Sequence, residues 1–196
     1  MSFSNLYYYL TGFWYDIQDP RTMKYSLVNL SPWTMANIMC AYYILVTKIG
    51  PEFMKNRKPY TLRGPMFVYN ISMVLMNLYF FIQIAYRIDF GRRFLNWKYP
   101  SRNDVSQQAI EEISIGYLYW LSKFADWLDT VFYVLRKKQS HVSFLHLYHH
   151  ISVPTFGYFF MKINPLIPAV GLFGLMNSFI HCVMYSYYAL SALGKS

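Results

Sequence analysis

The stretch FLHLYHH, residues 144–150, contains three of the five histidines in the chain. It lies within a run of almost purely apolar residues, 142–161, that is long enough to form a membrane helix. About 20 helical residues cross the ~30 Å hydrocarbon core of a bilayer. Imidazoles in such a helix need a protein interior around them, and this need predicts a bundle of membrane helices.

The composition agrees with that prediction. Of the 196 residues, 55% are hydrophobic, 21% are aromatic and only 14% are charged, whereas soluble domains average about 25% charged residues. The candidate membrane spans are residues 33–49, 66–88, 113–135, 142–161 and 169–193. We therefore predict an all-α fold, a polytopic membrane helix bundle that forms one domain over residues 1–196.

The net charge of +9 is concentrated between the spans. A basic surface suits nucleic acid, but a chain that lies mostly in lipid offers little surface for it. The charge instead favours anionic lipid headgroups or a phosphate-rich ligand as partners.

Three of the predicted helices carry polar residues on one face. These residues are Lys123, Asp126, Asp129 and Thr130 in the third span, His146, His149 and His150 in the fourth, and Asn177, His181, Tyr185 and Tyr188 in the fifth. One charge at the bilayer centre costs ~2.5–3.5 kcal/mol, so intramembrane charge usually marks a functional site. The alternatives are a structural ion pair between Lys123 and Asp126, and hydrogen bonds that merely join helices.

The spacing places these polar faces at one depth. The third and fourth spans are joined by the hairpin RKKQSH, residues 136–141. At 1.5 Å per residue, Asp129 and His149 both lie ~10 Å from that hairpin. Pro154 has no N–H, so the carbonyl of His150 loses its helical partner and the helix should bend there. We expect one polar pocket that opens toward the basic hairpin.

Together these stretches resemble the ELO family of fatty acid elongases. The resemblance rests on three motifs: Lys123-x-x-Asp126-x-x-Asp129-Thr130, His146-x-x-His149-His150, and Asn177-x-x-x-His181 followed by Met184-Tyr185-x-Tyr187-Tyr188. Family members commonly have glutamate where this chain has Asp126. They usually have seven spans, so the resemblance implies five helices of a seven-helix barrel that encloses an acyl tunnel. We accordingly expect a partial chain that is inactive on its own.

The resemblance implies an acyltransferase of the endoplasmic reticulum membrane. The implied reaction is the condensing step of fatty acid elongation, in which a long-chain acyl-CoA and malonyl-CoA give a 3-oxoacyl-CoA, carbon dioxide and free CoA. The implied partners are the bilayer, the two CoA substrates and other enzymes of the elongation cycle. We expect no cofactor and no metal, and the oligomeric state stays open.

An imidazole can serve as the acyl acceptor, because neutral histidine is a competent nucleophile and a good leaving group. We assign that role to His149, with His146, His150 and His181 orienting it, moving protons or polarising carbonyls. Cys182 is the obvious thiol alternative, but it adjoins His181 and therefore points about 100° away from it.

The remaining motif residues are expected to support the site. Asp126 or Asp129 could fix a histidine tautomer, and Lys123 could neutralise the malonyl carboxylate. Three basic residues lie in the hairpin: Arg136, Lys137 and Lys138. This basic trio suits the phosphates of CoA, although the ordinary excess of Lys and Arg in cytoplasmic loops explains it equally well.

Two other functions compete with this hypothesis. HLYHH also resembles a histidine box of membrane di-iron desaturases and hydroxylases, but such a site needs more histidines than the five present. A non-enzymatic transporter or receptor could instead line a solute path with the polar faces. Iron analysis would test the first alternative, and acyl-CoA-dependent decarboxylation of malonyl-CoA would test the second.

Overall fold

The computed structural model describes residues 3–95 and 100–194, and every regular element within these ranges is helical. The helices are α1 (Phe3–Leu10), α2 (Phe13–Asp16), α3 (Pro32–Ile44), α4 (Gly50–Met54), α5 (Arg63–Arg87), α6 (Gln107–Ala125), α7 (Trp127–Leu135), α8 (Phe144–Ile163) and α9 (Pro168–Leu193). A π-helical segment, Leu45–Ile49, continues α3 into α4, and short 3₁₀ turns occupy Pro20–Thr22, Asp89–Leu95 and Gln139–His141.

The helix starts follow from the sequence. A serine hydroxyl accepts a hydrogen bond from the backbone N–H three residues later at the starts of α3, α6 and α8; these serines are Ser31, Ser106 and Ser143. Such a cap contributes ~1 kcal/mol. Pro32 and Pro168 occupy the first positions of α3 and α9, where the missing N–H would have no helical partner anyway.

Helices cover all five predicted spans, and the all-helical fold class is confirmed. Two of them, α5 and α9, are long and apolar enough to cross a membrane by length and composition. The histidines of α8 and the charges of α6 lower the hydropathy of those helices. Five membrane spans and a single domain over 1–196 stay predictions, and residues 1, 2, 96–99, 195 and 196 lie outside the described ranges.

Two helix pairs build the bundle. Helices α5 and α9 pack along most of their length, and small residues bring them close: a Cβ at Gly174 or Gly171 would lie 3.0 or 3.1 Å from an isoleucine of the α5 end. Helices α6 and α8 form the second pair around a core that includes Trp120, Tyr158 and Met161. Within the described residues, α8 and α9 make little direct contact, and this separation leaves room for a cavity.

The turn from α7 to α8 closes with a left-handed residue. Lys137 has φ 56°, and its N–H bonds the carbonyl of Val134 while the next N–H, from Lys138, bonds the carbonyl of Tyr133. This hydrogen-bond pattern ends many helices, usually with glycine at the left-handed position. The tight turn lets α8 return at once beside α7.

A polar cluster lies at the end of the bundle opposite to the α7–α8 turn. Asp19 and Arg21 form a buried ion pair with 2.7 Å between Oδ2 and Nη2. Arg21 also donates to the carbonyls of Ser101 and Asp104. The N-terminal segment is thereby tied to the loop that precedes α6.

The same cluster holds the end of α8. The ammonium of Lys162 is buried and donates to the carbonyl of Val28 at 2.8 Å and to Oε1 of Gln18 at 3.0 Å. Asn164 donates to the carbonyl of Pro100 at 3.1 Å. We call Gln18, Asp19, Arg21, Lys162 and Asn164 the lower polar cluster, because they lie at the end of the bundle opposite to the α7–α8 turn.

Close packing of α8 on α6 generates one prediction. A Cβ at Gly157 would overlap the indole of Trp120, whereas a Cβ at Gly64 in α5 would meet no atom within 4 Å. We expect Gly157→Ala to unfold more easily than Gly64→Ala by about 1–3 kcal/mol, because overpacking a core has that cost. The gain in helix propensity is larger at Gly157, in a helix interior, than at Gly64, the second residue of α5, so propensity works against the expected difference and cannot produce it.

The measurement is unfolding of the detergent-solubilised protein, monitored by tryptophan fluorescence. Equal stabilities for the two alanine variants would show that Trp120 moves aside without cost.

Candidate active site

A buried ion pair joins the polar face of α6 to that of α9. Lys123 Nζ lies 3.0 Å from Asp126 Oδ2, and the two side chains are 2% and 5% exposed. The same ammonium donates to Oδ1 of Asn177 at 3.1 Å. Asp126 lies at the break between α6 and α7, so the pair forms where one helix ends and the next begins.

The surroundings of Asn177 fix the state of His181. Oδ1 of Asn177 receives hydrogen bonds from Lys123 and from the hydroxyl of Tyr119, so its Nδ2 faces Nε2 of His181 at 3.3 Å. An amide nitrogen only donates. In neutral His181 the proton therefore lies on Nδ1, which points toward Asp126 Oδ2 at 3.7 Å.

The second carboxylate of the motif is held by hydroxyl groups. Tyr185 donates to Oδ2 of Asp129 at 2.6 Å and lies 3.3 Å from Oδ1 of Asp126. Tyr69 of α5 approaches the Tyr185 hydroxyl at 3.5 Å and donates to the carbonyl of Ala125.

Tyr188 completes this aromatic group. Its ring packs edge-on against Tyr185, with 6.3 Å between centroids.

The three histidines of α8 divide between two surroundings. Nε2 of His146 lies 2.7 Å from the hydroxyl of Thr130, which in turn lies 2.7 Å from the hydroxyl of Tyr42 in α3. The ring of His150 packs over that of His146, with 4.1 Å between centroids. His149 turns away from them, toward α9.

His149 is the histidine of α8 that lines the large cavity. Its ring centroid lies 6.0 Å from that of His181 and 5.9 Å from that of His150. The side chain is half-buried, and it lines a cavity of about 1010 Å³ between α6, α8 and α9. Lys123 and Tyr119 line the same cavity, so the ion pair and this histidine face one space.

The cavity extends away from the α7–α8 hairpin, so our expectation of a pocket opening toward that hairpin is wrong. It follows the apolar residues Phe156, Met161 and Gly174 down the bundle and ends near Ser101 and Asp104. The hairpin side is instead occupied by packed rings. The rings are those of Tyr69, Phe132, Tyr133, Tyr185 and Tyr188.

The far end of the cavity is charged. The backbone N–H and the hydroxyl of Ser106 bond the carboxylate of Asp104 and hold its pKa below the ordinary value, so this group is ionised at neutral pH. Arg93 pairs with Glu112 at 2.6 Å on the same wall. A ligand in this cavity would therefore meet histidine and lysine at one end, an apolar middle, and charge at the other end.

The basic trio of the hairpin lies outside this cavity. Arg136 is half-buried, with Nη1 3.2 Å from Sδ of Met66, whereas Lys137 and Lys138 are exposed. Lys137 donates to the carbonyl of Lys55. The trio thus faces the end of the bundle opposite to the charged end of the cavity.

Three tyrosines that touch this site were missed in the sequence: Tyr42, Tyr69 and Tyr119. A chain with 20 tyrosines offers no way to select the important ones by type. Of these three, only Tyr119 could have been identified from its position, because it lies one helical turn before Lys123 and therefore shares its face of the helix.

Neither a metal cluster nor a reactive thiol forms part of the described site. Among the described residues, no group of three His, Cys, Asp or Glu side chains has an arrangement that could hold a metal ion. Both cysteines are free. Sγ of Cys182 lies 3.7 Å from the carbonyl of Val74, so this thiol faces α5, as its position beside His181 predicts.

A family model and individual known proteins both relate this chain to fatty acid elongases. The family model for ELO, the GNS1/SUR4 family, matches residues 27–196. Very long chain fatty acid elongase 1 of Mus musculus is 38% identical over 178 residues, which are 90% of this chain and 62% of that protein. Elongase 4 of Mus musculus is 38% identical over 92% of this chain and 56% of its own length.

A third relative, elongase 7 of Rattus norvegicus, is 36% identical over 93% of this chain and 64% of its own length. The chain thus spans about three fifths of the length of the curated relatives it matches.

The buried ion pair generates a prediction about stability. We expect Asp126→Asn to reduce the free energy of unfolding by about 3–5 kcal/mol, because it leaves the buried ammonium of Lys123 without its counter-ion. Glu52→Gln is the matched control: Glu52 and Lys55 form an ion pair with the same i, i+3 spacing on the exposed surface. Exposed pairs contribute at most ~1 kcal/mol.

Denaturant unfolding of both variants in detergent provides the comparison. A similar small loss for the two substitutions would mean that the charge of Lys123 is balanced by something other than Asp126.

Proposed function

The chain belongs to the ELO, or GNS1/SUR4, family, and on this premise we propose that it acts in the condensing step of very-long-chain fatty acid elongation. The reaction joins a long-chain acyl-CoA to malonyl-CoA and releases carbon dioxide and free CoA. One observation carries the proposal: among the three histidines of the HxxHH motif, it is His149 that lines a largely apolar cavity, at its head and beside the buried Lys123.

The cavity suits an acyl chain. From His149 to Met161, α8 runs ~18 Å at 1.5 Å per residue, and apolar side chains such as Phe156 line much of that length. An acyl chain placed there would gain hydrophobic burial along its length. Its thioester carbon would then lie near the imidazole of His149.

In the first step, a ring nitrogen of His149 attacks the thioester carbonyl. A bond from nitrogen to the acyl carbon forms, the carbon–sulfur bond breaks, and CoA leaves as the thiolate, which takes up a proton. His149 is the best placed of the α8 histidines for this role, because His146 and His150 pack against each other and His146 is bonded to Thr130.

In the second step, malonyl-CoA loses its carboxylate as carbon dioxide, and the electron pair of the broken bond attacks the acyl carbon. The bond between the ring nitrogen and the acyl carbon breaks, its electron pair stays with the imidazole, which takes up a proton, and the 3-oxoacyl-CoA leaves. Lys123 would balance the negative charge of the malonyl carboxylate and of the enolate that follows. Its bonds to Asp126 and Asn177 hold the ammonium in position before substrate arrives.

His181 would complete the site from the facing helix. With its Nδ1 proton directed toward Asp126, its Nε2 is bonded to Asn177. The imidazole can exchange these partners for a substrate oxygen or for a proton in transit. Asp129, Thr130, Tyr185 and Tyr188 would hold the surrounding helices and take no direct part in the reaction.

The two parts of acyl-CoA would then point in opposite directions. The acyl chain would follow the cavity, and the nucleotide would lie toward Arg136, Lys137 and Lys138 of the hairpin, which begins ~10 Å along α8 from His149. The rings packed on the hairpin side would have to part to admit it. Lysine and arginine are the usual partners of phosphate groups. We place the protein in the endoplasmic reticulum membrane, beside the enzymes that process the 3-oxoacyl-CoA, with no cofactor beyond the two substrates.

The proposed nucleophile generates a direct prediction. In a seven-span version of the protein, we expect His149→Ala to lower acyl-CoA-dependent decarboxylation of labelled malonyl-CoA by several orders of magnitude, because it removes the acyl acceptor. Cys182→Ser is the matched control and should retain activity, since its thiol faces α5. Incubation with acyl-CoA alone should add the acyl mass to the peptide that contains His149.

An acyl group on another histidine would transfer the role to that residue. Acylation of Cys182, or loss of activity in its serine variant, would replace the imidazole mechanism with a thiol mechanism.

A metal measurement separates this proposal from a di-iron desaturase or hydroxylase. We expect the purified active protein to contain far less than one iron atom per chain and to keep its activity after dialysis against a chelator. The reason is that the proposed chemistry requires only imidazole, ammonium and carboxylate groups. Stoichiometric iron, with activity that depends on it, would instead establish an oxidative reaction.

A further inference from the structure

One backbone carbonyl in residues 146–150 of α8, which we call the histidine turn, has no hydrogen-bond donor within the helix. Pro154 lies inside α8 and has no N–H, so the carbonyl of His150, four residues earlier, has no partner within the helix. His150 is buried. A buried carbonyl without a partner is unfavourable, so this group must find a donor elsewhere or the turn must open.

The donor comes from the neighbouring helix. Nε1 of Trp127, the first residue of α7, donates to the His150 carbonyl at 2.8 Å. Trp127 lies directly after Asp126 and two residues before Asp129, so it anchors the histidine turn to the segment that carries both carboxylates. The indole takes the place of the N–H that Pro154 lacks.

A second tryptophan makes a parallel contact one turn further along α8. Nε1 of Trp120 donates to the carbonyl of Pro154 at 2.8 Å. Gly157 permits this approach, because a Cβ there would overlap the indole of Trp120. Helix α8 is therefore fixed to α7 and α6 at two carbonyls about one turn apart.

The indole of Trp127 is itself held in place. It stacks on the ring of Tyr42, with 4.1 Å between centroids and 15° between planes. The hydroxyl of Tyr42 reaches Thr130, which bonds Nε2 of His146. One rigid group of α3 and α7 side chains thus contacts the histidine turn at a ring and at a carbonyl.

We propose that Trp127 is a positioning residue for His149: its bond to the His150 carbonyl sets the rotation of the turn, so that His149 faces the cavity and His181. The inference rests on the proposed role of His149 as acyl acceptor. His146 is held through its ring and His150 through its carbonyl. With both neighbours held, the backbone of the turn directs the side chain of His149 toward His181 of α9.

The decisive variant is Trp127→Phe, which removes the N–H and keeps a ring to stack on Tyr42. In a seven-span version of the protein we expect kcat to fall roughly 10-fold to 100-fold, the scale that follows when a reacting group moves by about 1 Å. The KM for acyl-CoA should stay unchanged, because the cavity walls are untouched. Trp33→Phe is the matched control: it loses an indole bond to the carbonyl of Leu10 at the surface and should match wild type.

A second substitution tests the reason for the effect. Pro154→Ala restores an N–H four residues after His150, so the carbonyl regains a helical donor. We expect Trp127→Phe to cost much less in the Pro154→Ala background, whereas Trp33→Phe shows no such coupling. If Trp127→Phe alone fails to fold, recovery of the folded, active protein in the double variant supports the same conclusion. Absence of recovery overturns it.

A readout without substrate separates this inference from the proposed function. The rate at which diethyl pyrocarbonate modifies His149, followed by peptide mass spectrometry, should change in Trp127→Phe and return toward wild type in the double variant. This result with no condensation by a seven-span wild-type protein would leave the positioning intact and refute the proposed function. Condensation in wild type, with unchanged kcat and unchanged modification rate in Trp127→Phe, would refute the positioning.

Discussion

The arrangement of the site depends on the burial of one ion pair. Lys123 and Asp126 are almost completely enclosed, and such charges persist in a low-dielectric interior only when their remaining hydrogen-bonding groups are also satisfied. Asn177 and Tyr185 of α9 supply the partners, which requires α9 to lie within side-chain reach of α6 at this depth. The same requirement aligns His181 with the pair and leaves His149 facing it across the cavity. Three short motifs, distant in sequence, therefore become one site.

Much of this could be predicted because helical periodicity determines which residues share a face. The polar stripes, their common depth and the unpaired carbonyl before Pro154 all follow from spacing and from the chemistry of single residues. The prediction that α8 carries three histidines on one face was too coarse. An arc of 100° per residue places His149 far enough from His146 and His150 to face a different neighbour, and only the packing of α7 and α9 decides which neighbour each histidine has.

The aromatic donors and the direction of the cavity could not be predicted. Tyrosine and tryptophan number 20 and 5 in this chain, so the few that donate into the site are hidden among those that simply fill space. Trp127 also depends on a carbonyl 23 residues away, and no local pattern reveals such a pair. The cavity follows from a gap between α8 and α9 and from rings that close the other side, both of which are properties of assembled helices.

The lower polar cluster has a consequence for how the chain is made. Gln18 and Lys162 are partners separated by 144 residues. At about 5–20 residues per second, a ribosome needs roughly 7–30 s to extend the nascent chain over that distance. During this interval the earliest segment has no access to the end of α8. Asp19 and Arg21, only two residues apart, can neutralise each other immediately, so the emerging segment carries a compensated charge while it waits. The final docking of the N-terminal segment is therefore a late event in biogenesis, although its residues are synthesised first.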